Sequence, residues 1–466
     1  MNIKFLGATQ QVTGSSYLLE AGGLRIIVDC GLYQEREYLS RNWDPFPIPA
    51  ARIDYVILTH VHLDHCGLVP KLVKEGFSGK ILTSPASNGM LEIVLLDSAE
   101  IQEEDAAYKR KRHKREKRKG PYPVKPLYTI KDAKKTFPLV KNVPYNALYP
   151  LNDNVMIRLH DAGHILGAAM VEVLVESKSS RRRIIFSGDI GQWNKPLVRD
   201  PSVFEQADYV VMESTYGDRN HEDSGCNEDL LRNAIIDTVN AGGNLLIPTF
   251  AIERAQEVMY CLSRLARKDQ IPYLMMFLDS PMAVDITHVF EQYKRYLDKE
   301  ARSLFERGES PFSFPGLRLV HSVAQSKAIN SIRGSCLIMA GSGMCTGGRI
   351  KHHLVQNIHR KESMILFVGY QAKGTLGRLI LDGTPEVRIH GKMYPVKAKI
   401  QQIQGFSAHA DRDELLKWIG FLKSSPQQLF ITHGEKSAAF SLAEAIKAKS
   451  RWSVSVPEYL QEWALK

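Results

Sequence analysis

Apolar positions along the first 60 residues fall into short runs of mixed alternation, IKFLGA, SYLLEA, LRIIVDC and YVILTH. Runs of this length with period two predict half-buried strands, and an apolar run such as YVIL predicts a buried one. A helix pattern follows at GLVPKLVKEG, with further strands predicted at VMIRLHDA, AAMVEVLVE and RRIIFSGD. After about residue 208 the rhythm becomes strand then helix, repeated: YVVMEST; NLLIPTF with ERAQEVMYCLSRLA; YLMMFLD with MAVDITHVFEQYKRYL; CLIMAG with RIKHHLVQNIH; then MILFVGY. Such alternation implies crossover units and a parallel sheet. From about 395 come YPVKAKIQQI, DELLKWIGFLK, QQLFITHG and SAAFSLAEAIKAK, too little for a third core. The pattern predicts an α/β protein of two domains. The first, of stacked sheets covered by helices, spans 1–208 and is completed by 395–466; the second is an α/β insertion over 209–394.

Composition excludes several classes. With 44% hydrophobic and 24% charged residues the chain is globular, not disordered. The start, MNIKFLGATQQV, lacks the apolar core of a signal peptide, and nowhere do about 18 uninterrupted apolar residues occur, so a cytoplasmic protein without a membrane span is expected. Cys30, Cys66, Cys226, Cys261, Cys336 and Cys345 have no CxxC spacing, which argues for reduced, buried thiols and against a zinc-thiolate site. The formal charge is +10, and KRKRHKREKRK at 109–119 supplies most of it with nine Lys/Arg against one Glu. QEEDAAYKRKRHKREKRK reads as a helix whose acidic start and basic end suit the macrodipole. Such a run is either solvated helix surface or a patch for a polyanionic partner.

The chemistry concentrates in THVHLDHCG, residues 59–67, directly after the YVIL strand. In an extended segment His60 and His62 point the same way. Asp64 and His65 follow as the chain turns into the next helix and face a second position. Imidazole and carboxylate suit Zn²⁺, whose catalytic sites keep one position for water. Two metals about 3.5 to 4 Å apart need further ligands, one of them a bridging anion. His164 in DAGHILG, Asp189 in FSGDIG and His433 in FITHGE stand at similar strand ends. Singly these could be a loop histidine, a cap and a core histidine. Together they complete two sets: His60, His62, His164 and Asp189 on one metal; Asp64, His65, Asp189 and His433 on the other. Asp29 in IIVDCG either orients a ligand imidazole or stabilises its turn.

The HxHxDH pattern at His60 to His65, with Asp29, His164 and Asp189 in order, resembles the metallo-β-lactamase superfamily. Glu213 in MESTYG, His409 in GFSAHAD and His433 in THGE resemble the motifs of its β-CASP nucleases, and GSGMCTGGR and GYQAKGTLGR are similar to their inserted domain. The likeness is greatest to bacterial relatives of the eukaryotic pre-mRNA 3′-end cleavage endonuclease, and a histidine at the position of His433 points to the RNA-acting branch. The resemblance implies an αββα sandwich with an inserted β-CASP domain, the site in the cleft between them. It further implies two Zn²⁺ per chain and hydrolysis of RNA, single-stranded by expectation, by metal-activated water, with a homodimer as an expected assembly.

On that reading Asp64, His409 and Glu213 are the catalytic residues. His409 protonates the leaving oxygen and Glu213 accepts a hydrogen bond from its other nitrogen; alternatively Glu213 caps the TYG turn. Ser407, Lys373 and Arg378 are candidate phosphate contacts, although GTLGR also suits a simple turn. Endonucleolytic action is expected, with 5′–3′ exonuclease action as a companion. Two other functions remain open: a small-molecule (thio)ester hydrolase of the same fold, and a non-catalytic RNA-binding subunit.

Overall fold

The computed structural model describes residues 1–117, 124–176, 181–221, 227–372 and 374–466. It divides into two compact units: Met1–Lys195, Arg199–Asn220 and His409–Lys466 form one; Pro196–Val198 and His221–Ala408 form the other.

Two seven-stranded sheets build the first unit. One runs in the order Glu462–Ala464, Asn2–Phe5, Tyr17–Ala21, Leu24–Val28, Tyr55–Ile57, Lys80–Thr83, Val140–Asn142. It is antiparallel through its first four strands and parallel through the rest. The other runs Val454–Ser455, Gln428–Ile431, Tyr209–Met212, Arg181–Phe186, Ala169–Glu176, Val155–Asp161, Tyr149–Pro150. Alternation places Ile3, Phe5, Leu19, Ile26, Val28 and Ile57 of one sheet against Val155, Ile157, Val171, Val173, Ile184, Phe186 and Phe430 of the other in one buried core. Leu18, Ile27, Val56 and Ile81 point the opposite way and are also fully buried, so this sheet is covered on its outer face as well. The result is the helix-covered double-sheet sandwich that the apolar pattern predicts.

The second unit holds a six-stranded sheet in the order Leu317–Leu319, Met275–Leu278, Cys336–Ala340, Leu245–Pro248, Met364–Phe367, Lys399–Gln402, parallel throughout. Its inner strands read LLIP, CLIMA and MILF, without alternation, because both faces are buried, as a parallel sheet with crossover helices requires.

Three expectations shift. Tyr209–Met212 does not open the insertion; it lies between Arg181–Phe186 and Gln428–Ile431 at the centre of the first unit's second sheet. Lys399–Gln402 does not return to the first unit; it pairs with Met364–Phe367 as the last strand of the insertion. The insertion therefore begins at His221 rather than 209 and ends at Ala408 rather than 394. A four-residue apolar strand carries no mark of which sheet will take it, so each boundary is displaced by one strand. The basic helix also differs. It spans Pro85–Glu116, capped by the Ser84 hydroxyl, which accepts from Ser87 N, so the acidic stretch lies in its interior and only the basic end meets the macrodipole.

Among the described residues no helix is long and apolar enough to cross a membrane. Cys30, Cys66, Cys261, Cys336 and Cys345 are buried free thiols; Cys226 lies outside the described residues.

Candidate metal centre

Five strands of the first unit end beside one another, and each delivers a polar side chain in the next few residues. Leu24–Val28 ends at Asp29, Tyr55–Ile57 at the His60 to His65 cluster, Val155–Asp161 at His164, Arg181–Phe186 at Asp189, and Gln428–Ile431 at His433. His62 stands at the N-cap position of the short helix Leu63–Cys66, which carries Asp64 and His65, and the His62 side chain is not used as a cap. Asp29 and His433 adopt left-handed backbone conformations, φ 58° and 48°, where the chain turns sharply out of its strand.

The first set gathers closely. His62 Nδ1 lies 3.1 Å from His60 Nε2 and 3.3 Å from His164 Nε2. Asp189 Oδ2 lies 3.4 Å from both His60 Nε2 and His164 Nε2. Ligands at 2.0–2.1 Å from a tetrahedral zinc are separated from one another by about 3.3 Å. The observed separations therefore match the edges of a zinc tetrahedron. In the second set His65 Nε2 is 3.0 Å from His433 Nε2 and 3.2 Å from Asp189 Oδ1, and His433 Nε2 is 3.6 Å from both Asp64 Oδ2 and Asp189 Oδ1. Asp189 thus presents one oxygen to each set.

Electrostatics fit cation ligands. Burial pushes His60 and His164 well below the usual imidazole range and His62 down to about 4, so these three are neutral with lone pairs to offer. Burial works to lower His65 and His433 too, but Asp189 and the neighbouring carboxylates lift both. Their positive charge outweighs the burial that opposes ionisation of Asp189 and holds its carboxyl well below its ordinary value. Asp64 is held at about 2, burial being overcome by its hydrogen bond to His433. Asp189 Oδ1 is buried without a hydrogen-bond donor. A bare buried carboxylate oxygen facing two imidazole nitrogens is costly unless a cation sits among them. The residues present fit a pair of metal ions.

Around this cluster the second neighbours are fixed. Asp29 accepts from Thr59 N at 2.7 Å and from the Thr59 hydroxyl at 2.8 Å, and its Oδ2 meets His65 Nδ1 at 2.7 Å. That contact turns His65 Nε2 toward the cluster. The Thr215 hydroxyl stands 3.1 Å from His433 Nδ1 and the Thr59 hydroxyl 3.0 Å from His60 Nδ1. Sequence reasoning misses both threonines; each is a hydroxyl residue at a strand end within two positions of a motif residue, which is the signal that could have found them.

Glu213 and His409 meet at the rim. Both Glu213 oxygens lie 3.2 Å from His409 Nδ1, while His409 Nε2 points to Asp189 Oδ2 at 3.9 Å. Burial works to lower His409, but Glu213 and Asp189 lift it to about 9. Glu213 also accepts from Ile190 N and Thr215 N, so the same carboxylate is bonded within the turn and faces His409 at once. Ser407 and Arg378 belong to the second unit; Ser407 is buried, and Arg378 is held by Asp382, its Nε donating at 2.8 and 3.0 Å. Lys373 lies outside the described residues.

Residues 10–92 match the metallo-β-lactamase superfamily, 255–380 the Beta-Casp domain, and 393–457 the Zn-dependent metallo-hydrolase RNA specificity domain. Ribonuclease TTHA0252 of Thermus thermophilus is 35% identical over 451 residues, 97% of either chain. Transcription termination factor FttA of Methanocaldococcus jannaschii is 30% identical over 480 residues, all of this chain and 72% of that one. A crystal structure of a protein of unknown function from Enterococcus faecalis V583 superposes over 100% of this chain and 99% of its own with a TM-score of 0.55 at 12% identity, a likeness of fold.

Proposed function

The chain belongs to the β-CASP ribonucleases of the metallo-β-lactamase superfamily, a metal-dependent RNA-hydrolysing family, and from that premise we propose that it cuts RNA endonucleolytically at two Zn²⁺ held by the two clusters. The observation that carries this reading is the shared Asp189, whose two oxygens face two separate ligand sets at zinc-like spacing. His60, His62 and His164 would hold one ion, Asp64, His65 and His433 the other, and Asp189 both. Bound there, the ions supply the positive charge that acidifies a water and neutralises phosphate oxygens.

The chain's own residues do the rest. Asp29 and Thr215 keep His65 and His433 turned inward. His409, protonated through neutral pH, offers the Nε2 proton to the departing oxygen, and Glu213 holds the ring by Nδ1. Five of the ligand residues, His60, His65, His164, Asp189 and His433, are buried, and His62 and Asp64 are only partly exposed, which favours a flexible single strand over a duplex as the substrate. A small-molecule hydrolase would leave the Glu213 and His409 pair idle, and a non-catalytic subunit would have no use for seven gathered ligands. A cytoplasmic homodimer completes the proposal.

The test incubates the protein with end-labelled and with circular RNA, with and without chelator, beside His409→Ala, and measures metal by elemental analysis. About two zincs per chain, cutting of the circle, and its abolition by chelator are expected. The variant should keep its zinc and lose roughly 10²- to 10⁴-fold in kcat. Chelator-resistant cutting, or one metal per chain with full activity, overturns the two-ion reading; an uncut circle beside degraded linear RNA overturns endonuclease action.

A further inference from the structure

The helix Pro85–Glu116 is rooted at the metal centre and ends far from it. At its base the Ser84 and Ser87 hydroxyls donate to Gly167 O, at 2.6 and 2.8 Å, in the loop that carries His164. Its first half packs through Met90, Leu91, Val94, Leu95 and Ala99, and Ala106 is the last wholly buried residue. From Lys109 to the C-cap Lys117 every residue is a charged one or His113, and all but His113 are exposed.

The fold gives no reason for the charge that this last stretch carries. Lys109, Arg110, Lys111, Arg112, Lys114, Arg115 and Lys117 are all exposed. Arg112 pairs with Glu116 at 2.9 Å, and Arg115 reaches the same carboxylate at 4.0 Å. Among the described residues Lys109, Arg110, Lys111, Lys114 and Lys117 have no carboxylate within 4.0 Å. Arg110 with Lys114, and Lys111 with Arg115, repel at i,i+4. The macrodipole favours cations only in the last turn. A solvated helix with these charges is less stable than one with mixed signs, so the run answers to something outside the chain.

We infer that this end of the helix is a second contact for the RNA backbone, remote from the metal centre, and the inference rests on the ribonuclease reading above. Consecutive residues step 100° around a helix, so the cations face every direction and offer no single face for an acidic protein partner. A flexible polyanion needs no such face. Tyr108, 63% exposed at the head of the run, adds a ring on which a base can stack. Measured along the axis at 1.5 Å per residue, Lys109 to Glu116 lie about 33 to 44 Å from Ser87. At about 3.4 Å per stacked nucleotide, and roughly twice that when the strand is extended, an RNA engaged at the metal centre reaches the basic end only if it continues for roughly 5 to 10 or more nucleotides. The contact should therefore act on long RNA and be invisible to short RNA.

The test compares the zinc-loaded wild type with a quadruple variant, Lys109→Gln, Arg110→Gln, Lys111→Gln and Lys114→Gln, which keeps helix propensity. Binding of 2′-O-methyl RNAs of about 4 and about 30 nucleotides, verified as intact after each measurement, is read by fluorescence anisotropy across a salt series. For the long RNA the variant should bind at least about tenfold more weakly near 0.1 M salt, with the slope of log K against log salt reduced by about 2 to 3. For the short RNA affinity should match the wild type, as should the cleavage rate of an unmodified RNA of the same short length. An unchanged slope with the long RNA overturns the inference, as does polyglutamate displacing long RNA as well as unlabelled RNA does. If neither protein cleaves RNA yet the salt slope still changes, the ribonuclease reading has failed while the contact stands.

Discussion

Asp189 is the residue on which the two ligand sets depend, and Asp29 and Glu213 show how carboxylates one layer further out do different work. Asp29 is fully engaged by Thr59 and His65, all buried. Asp29→Asn keeps an oxygen for Thr59 N but gives up the charge facing His65 Nδ1, so zinc affinity should fall roughly 10- to 100-fold, read by chelator competition. An unchanged affinity would remove Asp29 from the orienting role. In the proposed mechanism Glu213 acts on a proton instead. With His409 lifted to about 9, the imidazolium persists below that pH and is lost above it, so proton donation should fade as pH rises through about 9. Glu213→Gln removes the carboxylate that raises this value while burial continues to depress it. The alkaline limb of kcat/KM should then move toward neutral pH with zinc content unaltered. A limb that stays in place would mean another group donates the proton.

At the level of elements, the centre is made by strands that stop together, and the ligand loops need tight turns just beyond them. Gly167, φ +83°, closes the His164 loop against the start of the long helix, and a Cβ there would stand 2.5 Å from Ser87 N. Gly167→Ala should destabilise the first unit by about 1–3 kcal/mol and weaken metal binding in step, measured by urea unfolding and zinc titration. Gly23→Ala, at φ +81° with nothing within 4 Å, carries the backbone strain without the clash and should cost less and leave zinc affinity alone. Equal losses at the two positions would show that the loop tolerates the contact. This scale also marks what is legible in the sequence. The motif residues that come together are visible because each follows an apolar strand within a few positions, a local signal. The start of the long helix is not, because its first turns carry a Ser-Pro cap and one buried stripe, while the conspicuous charge pattern begins some fifteen residues later.

For the whole molecule, the apolar pattern predicts two sandwiched sheets and a parallel insertion, but it does not say which sheet claims Tyr209–Met212 or Lys399–Gln402, since sheet membership is decided by neighbours far away in the chain. That same long-range assembly has a thermodynamic consequence. His60, His164, Asp189 and His433 stand at four separate points of the chain and all belong to the first unit. The unfolded chain cannot present them together, so metal binds the folded unit selectively and adds its binding free energy to that unit's stability. At a free zinc concentration 100 times Kd the gain is about 2.7 kcal/mol per site. Among the described residues the second unit holds no comparable group of ligands. Chelation should therefore lower one calorimetric transition by roughly 5 °C or more and leave the other in place. The unit boundaries identify which is which: limited proteolysis at the lowered temperature should open the Met1–Lys195 segment before His221–Ala408. A single transition that moves as a whole would mean that the two units unfold as one cooperative body, and a scan unmoved by chelator would mean that the clusters bind no metal tightly enough to matter for stability.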